Sequence, residues 1–461
     1  MGKKLSNIKR RLLNILFWSV VSAAFIGPGT VTTVTKAGAY YHYDLMWTVI
    51  FSIFAALLLQ EASARITIYS GMNLGQAIYK YFENKRGKGL ILFLIVGAII
   101  LGSAAYETGN ILGAVEGLHF VFTKTMKIYL VAGIGILALL AFSMKSVRLI
   151  AQAMGVFVIF MGIAFLMTAF MVRPDLSAVL KGTFIPKIPN VTGAGVLILG
   201  IIGTTVVPYD LFLGSGIIDK SHTIQDARFG LFVAIILGGI ITMAIMTVGS
   251  AITEGWSAKA IAHMDFSFDF IKNVLYLNSM LGNLAVYIFG FGMFAAGFTS
   301  AITAPLASAI TARSIFGINH PDKWKPNSLY YYMVTIGILM VGVAFGLMRV
   351  KPIPAIIAAQ AFNGLILPFI SIFLIIVIND PSVMGERVNS WWHNVLMISV
   401  VWLTIVIGLL NIVKAVAKAF HLSLPNPDKL FLILSIIGVI ISGYVFYHII
   451  QLRRNRAKQK Q

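Results

Sequence analysis

Apolar stretches long enough to cross a lipid bilayer recur along the whole 461-residue chain, and this leaves little room for any other kind of fold. A helix needs about 20 apolar residues to cross the hydrocarbon core of a membrane. Hydrophobic residues make up 58% of the chain and charged residues only 11%, which excludes a soluble globular domain. We predict an all-α polytopic membrane protein with about twelve transmembrane helices. They are placed at residues 13–38, 44–69, 89–113, 125–144, 149–172, 193–218, 230–252, 279–309, 328–348, 354–378, 395–415 and 429–450.

Basic residues are shared unevenly between the predicted loops, and this predicts the orientation of the chain. Of the 36 lysines and arginines, 22 fall on the side of the N-terminus and 13 on the opposite side. Basic residues near spans are retained in the cytoplasm during insertion. We therefore expect a multi-pass protein of the cell membrane with both termini cytoplasmic. The net charge of +20 follows from this bias and from contact with anionic lipid, so no nucleic-acid partner is expected.

The first apolar stretch is interrupted near its middle by Gly27-Pro28-Gly29-Thr30. Unpaired backbone groups cost several kcal/mol in hydrocarbon, so a break survives only where protein, water or a ligand satisfies them. The sixth stretch is interrupted in the same way at Pro208, two residues before Asp210. Each break lies in the first span of a group of five, and two successive groups of five cross the membrane with opposite topology. Paired breaks in an inverted repeat indicate a substrate site near the midplane of a secondary transporter.

Four motifs resemble those of the NRAMP divalent-metal transporters. The segment 27–38, GPGTVTTVTKAG, is similar to the family pattern D-P-G-N followed by x-A-T-D-x-x-A-G, and 204–215, TTVVPYDLFLGS, resembles A-T-V-M-P-H-N-L-Y-L-H-S. AAGFTSAITAPLA from Ala295 and AQAFNGLILPF from Ala359 resemble the eighth and tenth family helices. The resemblance implies a LeuT-type 5+5 inverted repeat with discontinuous helices 1 and 6.

This fold divides the chain into four parts. We expect a cytoplasmic N-terminal tail at 1–12, a ten-helix transporter core at 13–378, two additional transmembrane helices at 379–450 and a basic cytoplasmic tail at 451–461. The chain would function as a monomer.

The residues that bind metal in the family are replaced here. Family members use the Asp and Asn of D-P-G-N, the Met of M-P-H and a backbone carbonyl, and the thioether favours softer transition metals. The matching residues are Gly27, Thr30 and Val207, and the two histidines of the sixth helix become Tyr209 and Gly214. The resemblance therefore predicts the fold more firmly than the substrate.

Other polar residues remain in the predicted spans and are candidates for a site. Ionisable side chains within a membrane are functional candidates by default because burying them is costly. We expect one solute site to be lined by Gly27, Thr30, Val207, Tyr209, Asp210 and Gln360. Glu107 and Lys36 are candidates for coupling or gating, and Asp210 and Gln360 would hold a cation if one is bound. Glu61 and Arg65 are expected to form a structural i, i+4 pair.

Three functions stay open. The first is divalent-cation transport, with proton coupling undecided, in which Asp210, Glu107, Gln360 and exposed carbonyls form an oxygen site for a hard ion such as magnesium or manganese. The second is transport of a small anion or zwitterion such as a carboxylate, held by the positive ends of the half-helices and by Lys36. The third is a non-transporting sensor or scaffold. The sequence has no phosphate loop, so ATP-driven transport is not expected, and no H-E-x-x-H motif, so an intramembrane zinc protease is not expected. We expect neither an enzyme nor a bound cofactor.

Overall fold

Helices account for most of the described chain. The computed structural model describes residues 15–144, 146–189, 194–218, 222–278, 282–326, 328–348, 350–420, 422–424 and 426–459. The first helices are α1 (Ile15–Phe25), α2 (Pro28–Tyr41), α3 (Met46–Ser70), α4 (Leu74–Tyr81), α5 (Lys88–His119), α6 (Lys127–Phe142), α7 (Val147–Met171), α8 (Leu176–Phe184), α9 (Ala194–Thr205) and α10 (Pro208–Gly216). They are followed by α11 (Ile224–Ile252), α12 (Ala258–Ala262), α13 (Phe268–Asn278), α14 (Asn283–Phe316), α15 (Leu329–Leu347), α16 (Pro352–Ile378), α17 (Pro381–Met384), α18 (Trp391–Ala419) and α19 (Pro427–Gln459).

The predicted number of spans agrees with these helices. Among the described residues, 10 spans are long and apolar enough to cross a membrane, with α9 and α10 counted as one, and the bent pair of α1 and α2 makes 11. Helix α16 has 27 residues and lies at the tenth predicted span. Its apolar part, Ile366–Ile378, is shorter than a full span. The prediction of an all-α polytopic membrane protein is confirmed.

Both predicted breaks are present. Helix α1 ends at Phe25, α2 begins at Pro28, and the two halves are bent by 64°. Helix α9 ends at Thr205, and α10 begins at Pro208 after the extended residue Val207. Proline suits the first position of a helix because it has no N–H and its φ is already helical. The two prolines therefore start new half-helices.

Small residues allow the long helices α5 and α14 to pack closely beside the breaks. A Cβ on Gly297 would lie 2.5 Å from the backbone nitrogen of Ala114, and one on Gly113 would overlap the ring of Pro28. Backbones approach this closely in membranes when the interface residues are small. Gly297 and Gly113 thus allow close packing that brings the middle of α5 against the first break.

One connector and the C-terminal tail contain helices where the sequence predicted none. The long connector predicted at 253–278 contains α12 and α13. Helix α19 continues to Gln459, so most of the tail expected at 451–461 extends the last helix. The N-terminal tail expected at 1–12 lies outside the described residues.

Candidate substrate site

The last turn of α1 ends at the break, where a helix leaves its final carbonyl groups without intrahelical donors. In this chain each of the four carbonyls accepts a hydrogen bond from a group beyond the helix. The donors are the Ile26 backbone N–H to Ser22 O (2.9 Å), Ser300 Oγ to Ala23 O (3.2 Å), Tyr209 Oη to Ala24 O (3.0 Å) and Thr30 Oγ1 to Phe25 O. The hydroxyl donors come from α14, α10 and α2, so three helices meet at the end of α1.

These hydrogen bonds change one expectation for the site. Exposed carbonyl oxygens were expected to supply ligands for a cation, but at the end of α1 the carbonyls are already engaged by hydroxyls of the protein. Thr30 and Tyr209 are each 1% exposed, so their hydroxyls make these bonds away from solvent. Two of the predicted site residues therefore hold the opened backbone of the first helix.

Gly27 faces a polar group of α5 and α14. A Cβ on Gly27 would lie 2.8 Å from Ser300 Oγ and 3.6 Å from Asn110 Oδ1. Asn110 Nδ2 in turn donates to Glu107 Oε2 at 3.2 Å. Glu107 is completely buried, and its other oxygen, Oε1, has no hydrogen-bond partner among the described residues. Glu107 is thus linked to the first break through Asn110.

Gln360 lies directly on the first turn of α2. Its carboxamide occupies the space that a side chain on Gly29 would fill. Tyr106 Oη donates a hydrogen bond to Gln360 Oε1, and the ring of Tyr106 meets the ring of Tyr209 edge to face, with centroids 5.8 Å apart. The predicted residue on α16 is therefore joined to both broken helices.

Asp210 is in the first turn of α10 and is 2% exposed. Its Oδ2 accepts a hydrogen bond from Gln60 Nε2 of α3 at 2.9 Å. Asp210 Oδ1 and Gln60 Oε1 have no hydrogen-bond partner in the described part of the chain. Asp210 therefore has one oxygen held in place and one unpartnered oxygen.

Two predicted residues contribute less to this group. Val207 is buried beside the second break, but its aliphatic side chain has no atom that could bind an ion. The ammonium group of Lys36 lies 5.4 Å from the ring centre of Tyr40 and 6.0 Å from that of Phe266, towards the far end of α2. The described contacts do not bring Lys36 to the breaks.

Charged side chains form a network in the C-terminal half of α3, directly after Gln60. Glu61 forms the predicted ion pair with Arg65 at 3.2 Å and a second one with Arg228 of α11 at 2.7 Å. Arg65 Nη2 also donates to Asn389 Oδ1 at 2.6 Å. The i, i+4 pair thus belongs to a network that connects α3, α11 and the segment before α18.

The arrangement is closed to solvent and rich in oxygen atoms. Within the described ranges, no group of three His, Cys, Asp or Glu side chains is placed to hold a metal ion. A cation here would need hydroxyl, amide or backbone oxygens or water in addition to Glu107 or Asp210. Such ligands suit hard cations rather than soft ones.

Four residues of this group were not predicted from the sequence. They are Gln60, Tyr106, Asn110 and Ser300. Each is a polar side chain within an apolar stretch, and Asn110 follows Glu107 by almost one helical turn. A polar side chain within an apolar stretch indicates that it has a partner, but it does not indicate which distant helix supplies that partner.

Comparison with known proteins agrees with this arrangement of helices. Residues 19–414 match the family model described as natural resistance-associated macrophage protein-like. The chain is 26% identical over 408 residues to the divalent metal cation transporter MntH of Staphylococcus saprophyticus, covering 85% of this chain and 89% of that protein. It is 25% identical over 423 residues to MntH of Staphylococcus aureus, covering 88% and 92%.

Solved structures share the fold. A crystal structure of the Eremococcus coleocola manganese transporter, in complex with an aromatic bis-isothiourea compound, superposes with a TM-score of 0.74 at 22% identity, covering 97% of this chain and 96% of that one. MhsT in complex with L-phenylalanine superposes with a TM-score of 0.54 at 13% identity, covering 87% and 98%. These likenesses confirm the LeuT-type inverted repeat with its two discontinuous helices. The family match spans most of the chain, and the protein therefore belongs to the NRAMP-like family of multi-pass membrane transport proteins.

Proposed function

We propose that this protein is a secondary transporter of a hard divalent cation, with magnesium or manganese as the substrate class. Its relatives named as divalent metal cation transporters support a metal as substrate. The thioether that favours softer metals in the family pattern is absent, because Val207 stands in its place, and Gly27 stands where the pattern has an acid. A harder set of oxygen ligands replaces them in this proposal.

The observation that supports the proposal most directly is a pair of buried carboxyl groups beside the breaks. Glu107 and Asp210 each have one oxygen bonded to an amide and one oxygen without a described partner. No ion pair to a lysine, arginine or histidine is found for either acid within the described ranges. A buried carboxylate is costly unless a cation or proton compensates it, so a substrate cation would stabilise this arrangement.

An anionic substrate is less well supported by the same residues. The N-terminus of α10 is the positive end that would attract an anion, but Asp210 already lies in that first turn. Lys36, the cation expected to assist, contacts aromatic rings away from the breaks. A carboxylate entering the site would face Asp210 and Glu107 without a described cation to balance them. The non-transporting scaffold remains the alternative function, and an absence of uptake into proteoliposomes would favour it.

Binding and transport assays on the purified protein test the proposal. Magnesium or manganese should bind in calorimetric titrations and enter proteoliposomes, and Asp210→Ala should abolish uptake. Because no thioether is present, affinity for manganese and cadmium should be far weaker than in relatives with the full ligand set. Sub-micromolar affinity for cadmium, or uptake of a carboxylate without metal, would overturn the proposal.

A gain-of-function variant examines the ligand replacement itself. Gly27→Asp with Val207→Met restores the acid and the thioether, and the new carboxylate would lie beside Ser300 and Asn110, whose side chains border that position. We expect cadmium and manganese affinity to rise and magnesium uptake to fall. Gly27→Asn with Val207→Met is the matched control, because it has the same shape without the charge. Equal metal affinity in the two variants would contradict the assigned site.

The proposal also includes the location, orientation and oligomeric state of the transporter. The excess of basic residues on one side supports a cell-membrane protein with both termini in the cytoplasm. A single chain contains both repeats and both breaks, so the functional unit in this proposal is the monomer. The family is one of transporters, and we assign no enzymatic reaction to the chain.

A further inference from the structure

Helix α10 is held along α3 by a ladder of polar contacts. Residues at a helical spacing on α3 each meet a residue of α10. The contacts are Gln60 Nε2 to Asp210 Oδ2 (2.9 Å), Ser63 Oγ to Leu211 O (2.8 Å) and Thr67 Oγ1 with Ser215 Oγ (2.8 Å). The ladder fixes the rotation of α10 about its axis, so the side of α10 that carries Asp210 faces Gln60.

The first rung differs from the other two. The Ser63 contact engages a backbone carbonyl, and the Thr67 contact joins two hydroxyls that can each donate and accept. In the first rung Asp210 Oδ1 and Gln60 Oε1 have no donor among the described residues, although their residues are only 2% and 3% exposed. Buried polar atoms normally have a partner, and these two acceptors belong to side chains already joined by a hydrogen bond.

Gly214 allows Gln60 to lie close to α10. A Cβ on Gly214 would be 2.5 Å from Gln60 Oε1, so any larger residue would displace the amide. Gly214 follows Asp210 by one helical turn and occupies the position of the second histidine in the resembling family pattern. The loss of that side chain thus makes room for an additional oxygen ligand beside Asp210.

We propose that Asp210 Oδ1 and Gln60 Oε1 form a binding site for a hard cation at the contact between α3 and α10. This inference rests on the proposed function and assigns two ligand oxygens for the substrate on the α10 side of the second break. Both oxygens are hard ligands, and a cation between them supplies the partner that each lacks. With only two protein oxygens assigned, the ion retains water in its remaining positions, as magnesium commonly does.

The charged groups on the neighbouring helices are compatible with a cation at this place. On α3, Arg65 is held by Glu61 and Asn389, and on α5 Glu107 accepts a hydrogen bond from Asn110. The other ionisable residues of the helices that contact α10 are Tyr69, Lys88, Tyr106, Glu116, His119, Tyr287, Arg313, Tyr79, Lys80 and Tyr81. No ion pair between any of these residues and Asp210 is found in the described part of the structure.

Calorimetric titration with MgCl₂ and magnesium uptake into proteoliposomes test the site in the full-length protein. Gln60→Leu removes the second oxygen and should weaken magnesium affinity by at least about 10- to 100-fold, because loss of an outer-shell group alone has that effect and Gln60 is proposed as a direct ligand. Ser63→Ala is the matched control, since it removes the next rung of the same ladder without removing an unpartnered oxygen. It should leave magnesium affinity unchanged.

A second variant keeps the test decisive if Gln60→Leu fails to fold. Gln60→Glu places a carboxylate opposite Asp210, and the two acids repel each other unless a cation lies between them. MgCl₂ should therefore raise the melting temperature of Gln60→Glu more than that of the wild type. An equal rise in both proteins would overturn the proposed site.

The remaining outcomes separate this inference from the proposed function. If the wild type binds no divalent cation, both fail together. If the wild type binds magnesium and Gln60→Leu binds it equally well, only the Asp210–Gln60 site is refuted. If Gln60→Leu shifts the pH dependence of uptake but leaves magnesium affinity unchanged, the two oxygens hold a proton rather than the metal, and the site as proposed is also refuted.

Discussion

Replacement of Tyr209 by phenylalanine should open the transporter. Tyr209 Oη donates to the carbonyl of Ala24 at 3.0 Å and so joins the end of α1 to the start of α10. Tyr209→Phe keeps the ring, including its edge-to-face contact with Tyr106, and removes only this donor. In the closed state the Ala24 carbonyl would then be buried without its partner, whereas water could satisfy it once the site opens.

The size of the effect follows from this difference. Leaving one buried acceptor unsatisfied costs about 1–3 kcal/mol. Because only the closed state has this cost, the equilibrium should shift towards open states by about 5- to 150-fold. The two broken helices would separate more often, while the membrane-embedded fold is preserved.

The absence of cysteine from the chain makes this shift measurable. Thr32 on α2 is fully buried in the closed structure, and Thr32→Cys is a nearly isosteric reporter for a membrane-impermeant thiol reagent. Tyr209→Phe should increase the labelling rate at this cysteine. Tyr331→Phe, a buried tyrosine on α15 away from the breaks, is the control and should leave the rate unchanged. An unchanged labelling rate in Tyr209→Phe would refute the role of this hydroxyl in closure.

Three further perturbations address other parts of the structure. Gly29→Ala places a methyl group where the Gln360 carboxamide lies, so it should weaken substrate binding as much as Gln360→Ala, and the two changes should not be additive in a double-mutant cycle. Asn389→Ala removes one of the two described acceptors of the buried Arg65 guanidinium, the other being Glu61, and should lower the free energy of unfolding by about 1.5–3 kcal/mol, measured by thermal denaturation in detergent. Burial, with the nearby charge of Asp380, raises the pKa of Tyr81 to about 12. The folded protein therefore keeps the Tyr81 proton to a higher pH than the unfolded chain does. The stability that this proton provides is complete below about pH 10 and is lost as the pH rises towards 12. The melting temperature of Tyr81→Phe should consequently fall less at alkaline pH than that of the wild type.

The membrane fold and the two breaks could be predicted because both depend on local properties of the chain. Apolar stretches of sufficient length form spans, and Pro28 and Pro208, flanked by glycine or followed by a polar residue, each start a new half-helix, whereas Pro305 and Pro368 lie inside continuous helices. The resemblance of four motifs then predicted the inverted repeat. Helix ends were less predictable, since α19 continues to Gln459 past the end of its apolar stretch.

Several predicted site residues were also brought together. Thr30 and Tyr209 meet at the end of α1, and Gln360 lies against the first turn of α2. Lys36 was linked to the site by its distance along α2 alone, but its ammonium lies by the rings of Tyr40 and Phe266. Distance along one helix does not determine which neighbouring helix a side chain contacts.

The sequence by itself determined that this chain spans a membrane, that its first and sixth spans are broken, and that the acids Glu107 and Asp210 lie within apolar stretches. Only the tertiary structure decided how those breaks are satisfied. Ser300 reaches Ala23 across 277 residues of chain, and Gln60 reaches Asp210 across 150. Such pairings depend on the rotation and close approach of helices packed by small residues, so no local pattern specifies them. The physical reason is that an open backbone in hydrocarbon requires a partner, while the identity of that partner is set by which helix packs beside it.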